Sequence, residues 1–327
     1  MSPNLNTNAV IECVPNFSEG IDKAKVSSIV AAMKGDDVRL LDWSLDAAHN
    51  RSVVTIAGSP TAVMESAVRG VGRAAELIDL TKQNGVHPRI GAADVVPFVP
   101  VSGISLAECA MLARRAGLEI WRRYGVPVYF YEAAAARPDR VNLEDVRRGQ
   151  FEGLRESVHR DASRRPDVGG PEIHPTAGAS AVGARSFLIA YNIFLDSPLS
   201  TQTGAGVPLV AQADIAAARA IARAIRASAG GMHGVKAIGV SVNGRAQVSM
   251  NITDFRATPM RRVHAAVQEL ARNYGVVANQ GEIIGLIPQE AYEPEQDWLR
   301  EIPDFDPEAK VLERKLNSPL PWPATKI

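Results

Sequence analysis

The chain has 327 residues, 46% hydrophobic and 22% charged, with 36 Lys and Arg balanced by 36 Asp and Glu. That is the composition of a globular protein long enough for two ordinary domains, and zero net charge without a long basic run excludes the electrostatic footprint of a nucleic-acid binder. MSPNLNTNAV carries no basic-then-apolar leader and no unbroken apolar run nears the roughly 18 residues of a membrane span, so a cytoplasmic protein without membrane contact is expected.

In chain order, apolar patterning predicts a strand near 9–15, a helix near 20–33, strands near 37–44 and 51–58, a helix near 60–80 and a strand near 93–100. This is βαββαβ order. Met64, Val68, Val71, Ala75 and Ile78 form the stripe of a helix laid on a sheet. Gly70 and Gly72 lie inside that helical pattern rather than after a strand, so they are not a dinucleotide fingerprint. A helix carrying Leu106, Cys109, Ala113, Ala116, Ile120 and Tyr124 follows, then a strand in VPVYFYE and a basic, glycine-rich stretch from Arg147 to Arg185 that reads as a linker. Cys13 and Cys109 sit in apolar stretches without ligand spacing and read as buried packing residues, with no metal site implied.

The same order recurs after residue 185: a strand in SFLIAYNIFL, a helix near 211–229, paired strands, a helix near 259–274 and a last strand near 282–287. Asn243 and Gly244 suit a type I′ turn between the paired strands, and Pro259 suits the first turn of the helix striped by Met260, Val263, Val267, Leu270 and Tyr274. The predicted fold is α+β, two ferredoxin-like subdomains over 1–184 and 185–327 with facing sheets and helices outside. The tail after about residue 293 reads as a short helix and a proline-rich extended end packed on the surface.

Polar residues gather at three predicted strand ends. His87, held extended by Pro88 before the apolar strand ADVVPFVPV, is either a loop hydrogen-bond partner or a proton-transfer group. Asp46, His49, Asn50 and Arg51, in a longer loop than its counterpart in the second repeat, either cap strands or hold a small anion, with Arg51 as the carboxylate fork. Asn16 offers donor and acceptor at the first strand's end, while Ser18 reads as the helix N-cap. The segment GGPEIHPTAGASAVGAR serves either as a crossing between domains or as a source of backbone contacts for a ligand.

VIECVPNFSEG, LLDWSLDAAHNRSV, HPRIGAADVVPFVPV, VPVYFYEAAA, GARSFLIAYNI, QVSMNITDF and EIIGLIPQEA together resemble the glutamate formimidoyltransferase family, the formiminotransferase part of the formiminotransferase-cyclodeaminases. The motifs follow in the same order from about residue 10 to about residue 290, with no helical cyclodeaminase portion after them, which suggests a stand-alone form. The resemblance implies transfer of the formimino group from N-formimino-L-glutamate to N5 of tetrahydrofolate, in histidine catabolism and one-carbon metabolism. Tetrahydrofolate is then a co-substrate, no metal is needed, and a homodimer is expected. The alternatives are formyl transfer from N-formylglutamate, or folate binding without turnover.

On this resemblance the general base falls on His87. Folate contacts fall on Gly169, Gly170, Pro171, Glu172, Ile173, His174, Pro175, Thr176, Ala177 and Gly178, with a second set on Ala224, Ile225 and Arg226. Arg51 and Arg89 are the expected carboxylate holders, and Asn16 and Asp46 the groups that orient the amidine. His174 and Ala177 depart from larger apolar residues in mammalian members, and Ser44 stands where those have an aspartate, for which Asp46 is the expected substitute. Arg164 and Arg165 are either solvated charges or holders of a folate polyglutamate tail.

Overall fold

The computed structural model describes residues 9–324 except 48, 86, 197–206 and 243. The chain forms two compact units, one of residues 1–186 with 319–327 and one of residues 187–318.

In the first unit, β1 (Val10–Cys13) and β2 (Asn16–Phe17) flank Pro15, which cannot donate to a ladder and so interrupts what is otherwise one strand. Both pieces pair antiparallel with β4 (Arg51–Gly58) and β5 (Ala93–Ser102), and β3 (Val38–Asp46) closes the far side of β4. The order β3, β4, β1/β2, β5 is the ferredoxin-like arrangement expected from the sequence. Two helices, α1 (Lys23–Ala32) and α2 (Pro60–Leu77), add Val26, Ile29, Val30, Met64, Val68 and Val71 to one core with Ile11, Phe17, Ile56 and Phe98.

Asp22, not Ser18, caps α1, accepting from the N–H groups of Ala24 and Lys25. The buried Ser18 hydroxyl instead donates to the Gly91 carbonyl at 2.7 Å, tying the end of β2 to the chain entering β5. Gly70 and Gly72 prove to be packing glycines: a Cβ at Gly72 would lie 2.2 Å from the Tyr124 ring and one at Gly70 2.7 Å from Met33.

Beyond β5 the sheet continues through α3 (Leu106–Tyr124), β6 (Val128–Glu132), α4 (Leu143–Val146), α5 (Gln150–Arg160) and β7 (Ser180–Ala184). The helix α3 opens on a Ser105 and Glu108 capping box and closes on Gly125 in the left-handed region, burying Cys109, Ala113, Ala116 and Ile120 as its stripe predicts. The expected linker is not one: β7 inserts between β5 and β6, parallel to both. Its small residues, SAVGA, look flexible in sequence, yet all five are buried, and a Cβ at Gly183 would strike Tyr131 at 2.5 Å. Smallness there serves close packing.

In the second unit, β8 (Ile189–Asp196), α6 (Val207–Ile225), β9 (Val235–Val242), β10 (Arg245–Ile252), α7 (Met260–Asn273) and β11 (Val277–Ile284) form an antiparallel sheet in the order β11, β8, β10, β9. Alternation along β8 buries Ile189, Tyr191, Ile193 and Leu195 with Ala218, Ile221, Val263 and Val267 of the helices. Gly244 has φ +80° as the hairpin turn requires, while its partner Asn243 lies outside the described residues. Pro259 is the cap of α7 rather than part of its first turn, Tyr274 is half exposed, and β11 begins five residues before the expected strand. In the tail, Leu320 donates to the Leu40 carbonyl and packs with Trp322 against the first unit's core.

Candidate functional site

Register brings three polar side chains to one end of neighbouring strands in the first unit. Asn16 in β2 pairs with Val53 of β4 and Val95 of β5, so Arg51 and Asp94, each near the start of its strand, flank it. Arg51 Nε donates to Asn16 Oδ1 at 2.9 Å, and its NH1 donates to Asp94 Oδ2 at 2.8 Å. Asp94 is fully buried, accepts from Ile90 N at 2.8 Å, and receives a second guanidinium from Arg147 NH2 at 2.5 Å. Burial alone would raise its pKa, but Arg147 and Arg51 outweigh that and hold the carboxyl below its ordinary range.

His87 lies on this pair. Its Nδ1 is 3.1 Å from Arg51 NH1 and 2.8 Å from the Pro88 carbonyl. The Nδ1–H tautomer satisfies the Pro88 carbonyl and leaves the lone pair on Nε2, whereas the Nε2–H tautomer lets Nδ1 accept from Arg51 NH1. Burial, then the charges of Arg51 and Arg147, push the imidazole pKa down to about 3. His87 is therefore neutral at pH 7, and its free nitrogen can accept a proton. Arg51, lowered by burial to about 10, remains charged there.

The loop between β3 and β4 is fastened to the His87 segment by Asn50, which accepts from Gly20 N at 2.9 Å and donates to the Asn84 carbonyl at 2.7 Å. A Cβ at Gly20 would come within 2.2 Å of the Asp46 carbonyl, so only glycine lets the two loops approach. Asp46 is the cross-strand partner of Arg51 where β3 meets β4. Its carboxylate holds the backbone N–H of His49 at 2.9 Å and the ring Nδ1 at 2.6 Å, and that ring stands edge-on to His87 with centroids 6.1 Å apart.

Arg89, expected beside Arg51 as a carboxylate holder, turns elsewhere. It is buried, with a bidentate pair to Glu152 at 2.8 and 3.0 Å and bonds to the side chain and carbonyl of Gln83. Its fork is occupied by α5, so it docks that helix. Arg164 is likewise spent inside the unit, donating to the carbonyls of Asp145, Val146 and Arg148.

Residues 169–178 do run beside the His87 segment. Leu80 N bonds to the Thr176 carbonyl, Ala92 N to that of Ala177 and Ala179 N to that of Ile90, at 2.8 to 2.9 Å. Gly169 and Gly170 have φ of +80° and +89°, and His174 Nδ1 accepts from Ala177 N at 2.9 Å, closing the turn that ends at Gly178. Pro171, Glu172 and Pro175 are exposed, whereas Ile173 is buried. Ala224 and Ile225 end α6 in the second unit and Arg226 follows it in an extended conformation, with Met232 N bonding to the Ile225 carbonyl at 2.8 Å.

Sequence reasoning missed Asp94 and Arg147. A signal existed for the first: an aspartate inside the apolar run AADVVPFVP is almost never buried unpaired, so it demands a cation. Arg147 carried none, because its partner lies 53 residues away. Both cysteines are buried and free, as packing residues should be, with burial pushing Cys109 up to about 12. Among the described residues no group of three or more His, Cys, Asp or Glu is placed to hold a metal.

The first unit carries the match to the family model "Formiminotransferase domain, N-terminal subdomain", over residues 10–185, and the model "Formiminotransferase domain" matches residues 207–298. A glutamate formimidoyltransferase of Streptococcus pyogenes serotype M1 is 42% identical over 94% of this chain and 98% of its own length. One from Thermoplasma acidophilum is 39% identical over 94% and 97%. The formimidoyltransferase-cyclodeaminase of Gallus gallus is 37% identical over 86% of this chain and 51% of its own length. With both models in chain order and relatives of this identity along nearly its whole length, the chain belongs to the formiminotransferase family.

Proposed function

We propose that the chain is a glutamate formimidoyltransferase, moving the formimino group of N-formimino-L-glutamate to N5 of tetrahydrofolate and releasing L-glutamate. The observation that carries this reading is the neutral imidazole of His87 set against Arg51 and Asp94 at one mouth of the sheet. N5 adds to the amidine carbon, forming the new C–N bond, and its proton passes to His87 Nε2. The glutamate nitrogen then takes up a proton as its bond to that carbon breaks. No nucleophilic side chain is consumed, and holding both substrates in line contributes roughly 7–11 kcal/mol, more than the roughly 10²- to 10⁴-fold expected of the base.

In this reading Arg51 holds a donor carboxylate, Asn16 orients Arg51, and Asp46 acts on His87 through His49. Residues 169–178 take tetrahydrofolate beside His87, supported by their main-chain bonds to the segment that follows it. Ala224, Ile225 and Arg226 are assigned a folate contact on the second unit. The family resemblance also supports a cytoplasmic homodimer, with residues 1–184 as the catalytic subdomain and 185–327 as the second; no helix among the described residues is long and apolar enough to cross a membrane.

The direct test is release of glutamate from N-formimino-L-glutamate, measured with and without tetrahydrofolate and side by side with N-formylglutamate. Turnover that needs tetrahydrofolate and favours the formimino donor is expected. A higher kcat/KM for the formyl donor moves the assignment to formyl transfer, and folate binding without glutamate release removes the enzyme reading.

The charges around His87 also set a pH dependence. In the free protein the base stays neutral well below 6.5, so the acid limb of kcat/KM should fall below the ordinary histidine range. A donor carboxylate on Arg51 cancels part of the positive field that depresses His87, so the acid limb of kcat should lie at higher pH than that of kcat/KM. Coincident limbs near 6.5 would show that Arg51 and Arg147 do not control the base.

A further inference from the structure

Arg147 is delivered to the His87 mouth by several separate restraints. Its own N–H bonds to the Leu143 carbonyl at 2.9 Å, and Arg164 grips the carbonyls on either side of it, those of Val146 at 3.2 Å and Arg148 at 2.6 Å. Phe151 N bonds to the Arg89 carbonyl at 2.9 Å, and the Arg89 fork locks Glu152. The segment carrying Arg147 is thus bolted to the one carrying His87 through Arg89, an arginine expected to hold substrate, while Arg164 braces it from within.

At the end of this scaffold Arg147 NH2 meets Asp94 Oδ2, the same oxygen that receives Arg51 NH1. Two guanidiniums side by side on one carboxylate leave an excess of one positive charge next to a neutral imidazole. Arg147 Nε is buried without a partner, although the side chain is 14% exposed and so borders solvent. Such an arrangement has more cationic donors than its own anion can use. A monoanion would draw on the remaining donors of one guanidinium; a molecule with two carboxylates three carbons apart can draw on those of both.

We propose that Arg147 is the second carboxylate holder of the donor subsite and the residue that makes it select a dicarboxylic donor, in the part that sequence reasoning gave to Arg89. This rests on the formiminotransferase reading. The test compares N-formimino-L-glutamate with N-formimino-L-glutamine, which has the same reacting carbon and one carboxylate fewer, in the wild type, Arg147→Gln and Arg147→Lys.

The Gln variant should lose about 10- to 100-fold in kcat/KM for the glutamate donor, mainly through KM, and less than about threefold for the glutamine donor. The Lys variant, keeping charge without the fork, should fall between. The ratio of the two donors within one sample is indifferent to a misfolded fraction, and the Lys variant supplies it if the Gln variant does not accumulate. Equal losses on both donors, or an unchanged ratio, would overturn the role of Arg147. A wild type that turns over neither donor removes the activity reading and this proposal together, an outcome distinct from an unchanged ratio.

Discussion

Asp94→Asn is expected to lower the unfolding free energy by about 3–5 kcal/mol, read as a fall in the urea midpoint, because it leaves two guanidiniums beside a site with no anion. The substitution is nearly isosteric, and an amide oxygen can still accept from Ile90 N, so lost volume does not account for the effect. Arg51 is buried and Arg147 only 14% exposed, so neither charge can simply turn into water. The pH dependence distinguishes this from general damage. Asp94 has a folded pKa below its ordinary value of 3.8, so its contribution is present above that value and is lost as pH falls through the folded one. The gap between wild type and variant should therefore be full at pH 7 and shrink in strong acid. A gap of less than about 1 kcal/mol at pH 7 would mean that the cluster is solvated and the buried pairing is wrong. Combining Asp94→Asn with Arg147→Gln should recover part of the loss, since the double variant holds one unpaired cation fewer.

The same cluster separates what the sequence made legible from what it did not. Element type and order were readable wherever periodicity was strong: the α2 stripe from Met64 to Val71, the α3 stripe from Cys109 to Ile120 and the β9 to β10 hairpin all speak within a window of a few residues. His87, Arg51 and Asn16 were readable as polar residues at strand ends, and they do touch. What stayed hidden depended on long-range partners. Arg89 and Arg51 look alike in sequence, each a lone arginine beside a strand, but Glu152 comes round on α5 to claim Arg89, while Arg51 faces Asp94. The stretch 147–185 failed for a related reason: Ala and Gly signal flexibility locally, whereas β7 uses them to fit between two other strands. Ser18 lost the cap of α1 to Asp22 because its hydroxyl had a buried carbonyl to satisfy across the sheet.

His87→Ala should reduce kcat by about 10²- to 10⁴-fold while KM for N-formimino-L-glutamate changes by less than about threefold. The split follows from the geometry: Arg51 and Asp94 are paired with each other independently of the imidazole and persist without it. Activity is not expected to vanish, since alignment of the two substrates is supplied by groups the substitution leaves in place. Two further readouts separate a lost base from a disturbed loop. Free imidazole should restore part of the turnover, because the vacated space is bounded by the same Pro88 carbonyl and Arg51 guanidinium that held the ring. The acid limb assigned to His87 should disappear from the residual kcat and return with added imidazole at a pH set by the added base. Near wild-type turnover in the variant would transfer proton removal to solvent or to His49, the next imidazole along the Asp46 chain, and leave His87 as a loop fastener. Retained activity that imidazole does not change would point the same way. A large loss of kcat with imidazole rescue fixes the role of His87 as the group that takes the N5 proton, within a site whose charges come from Arg51, Arg147 and Asp94.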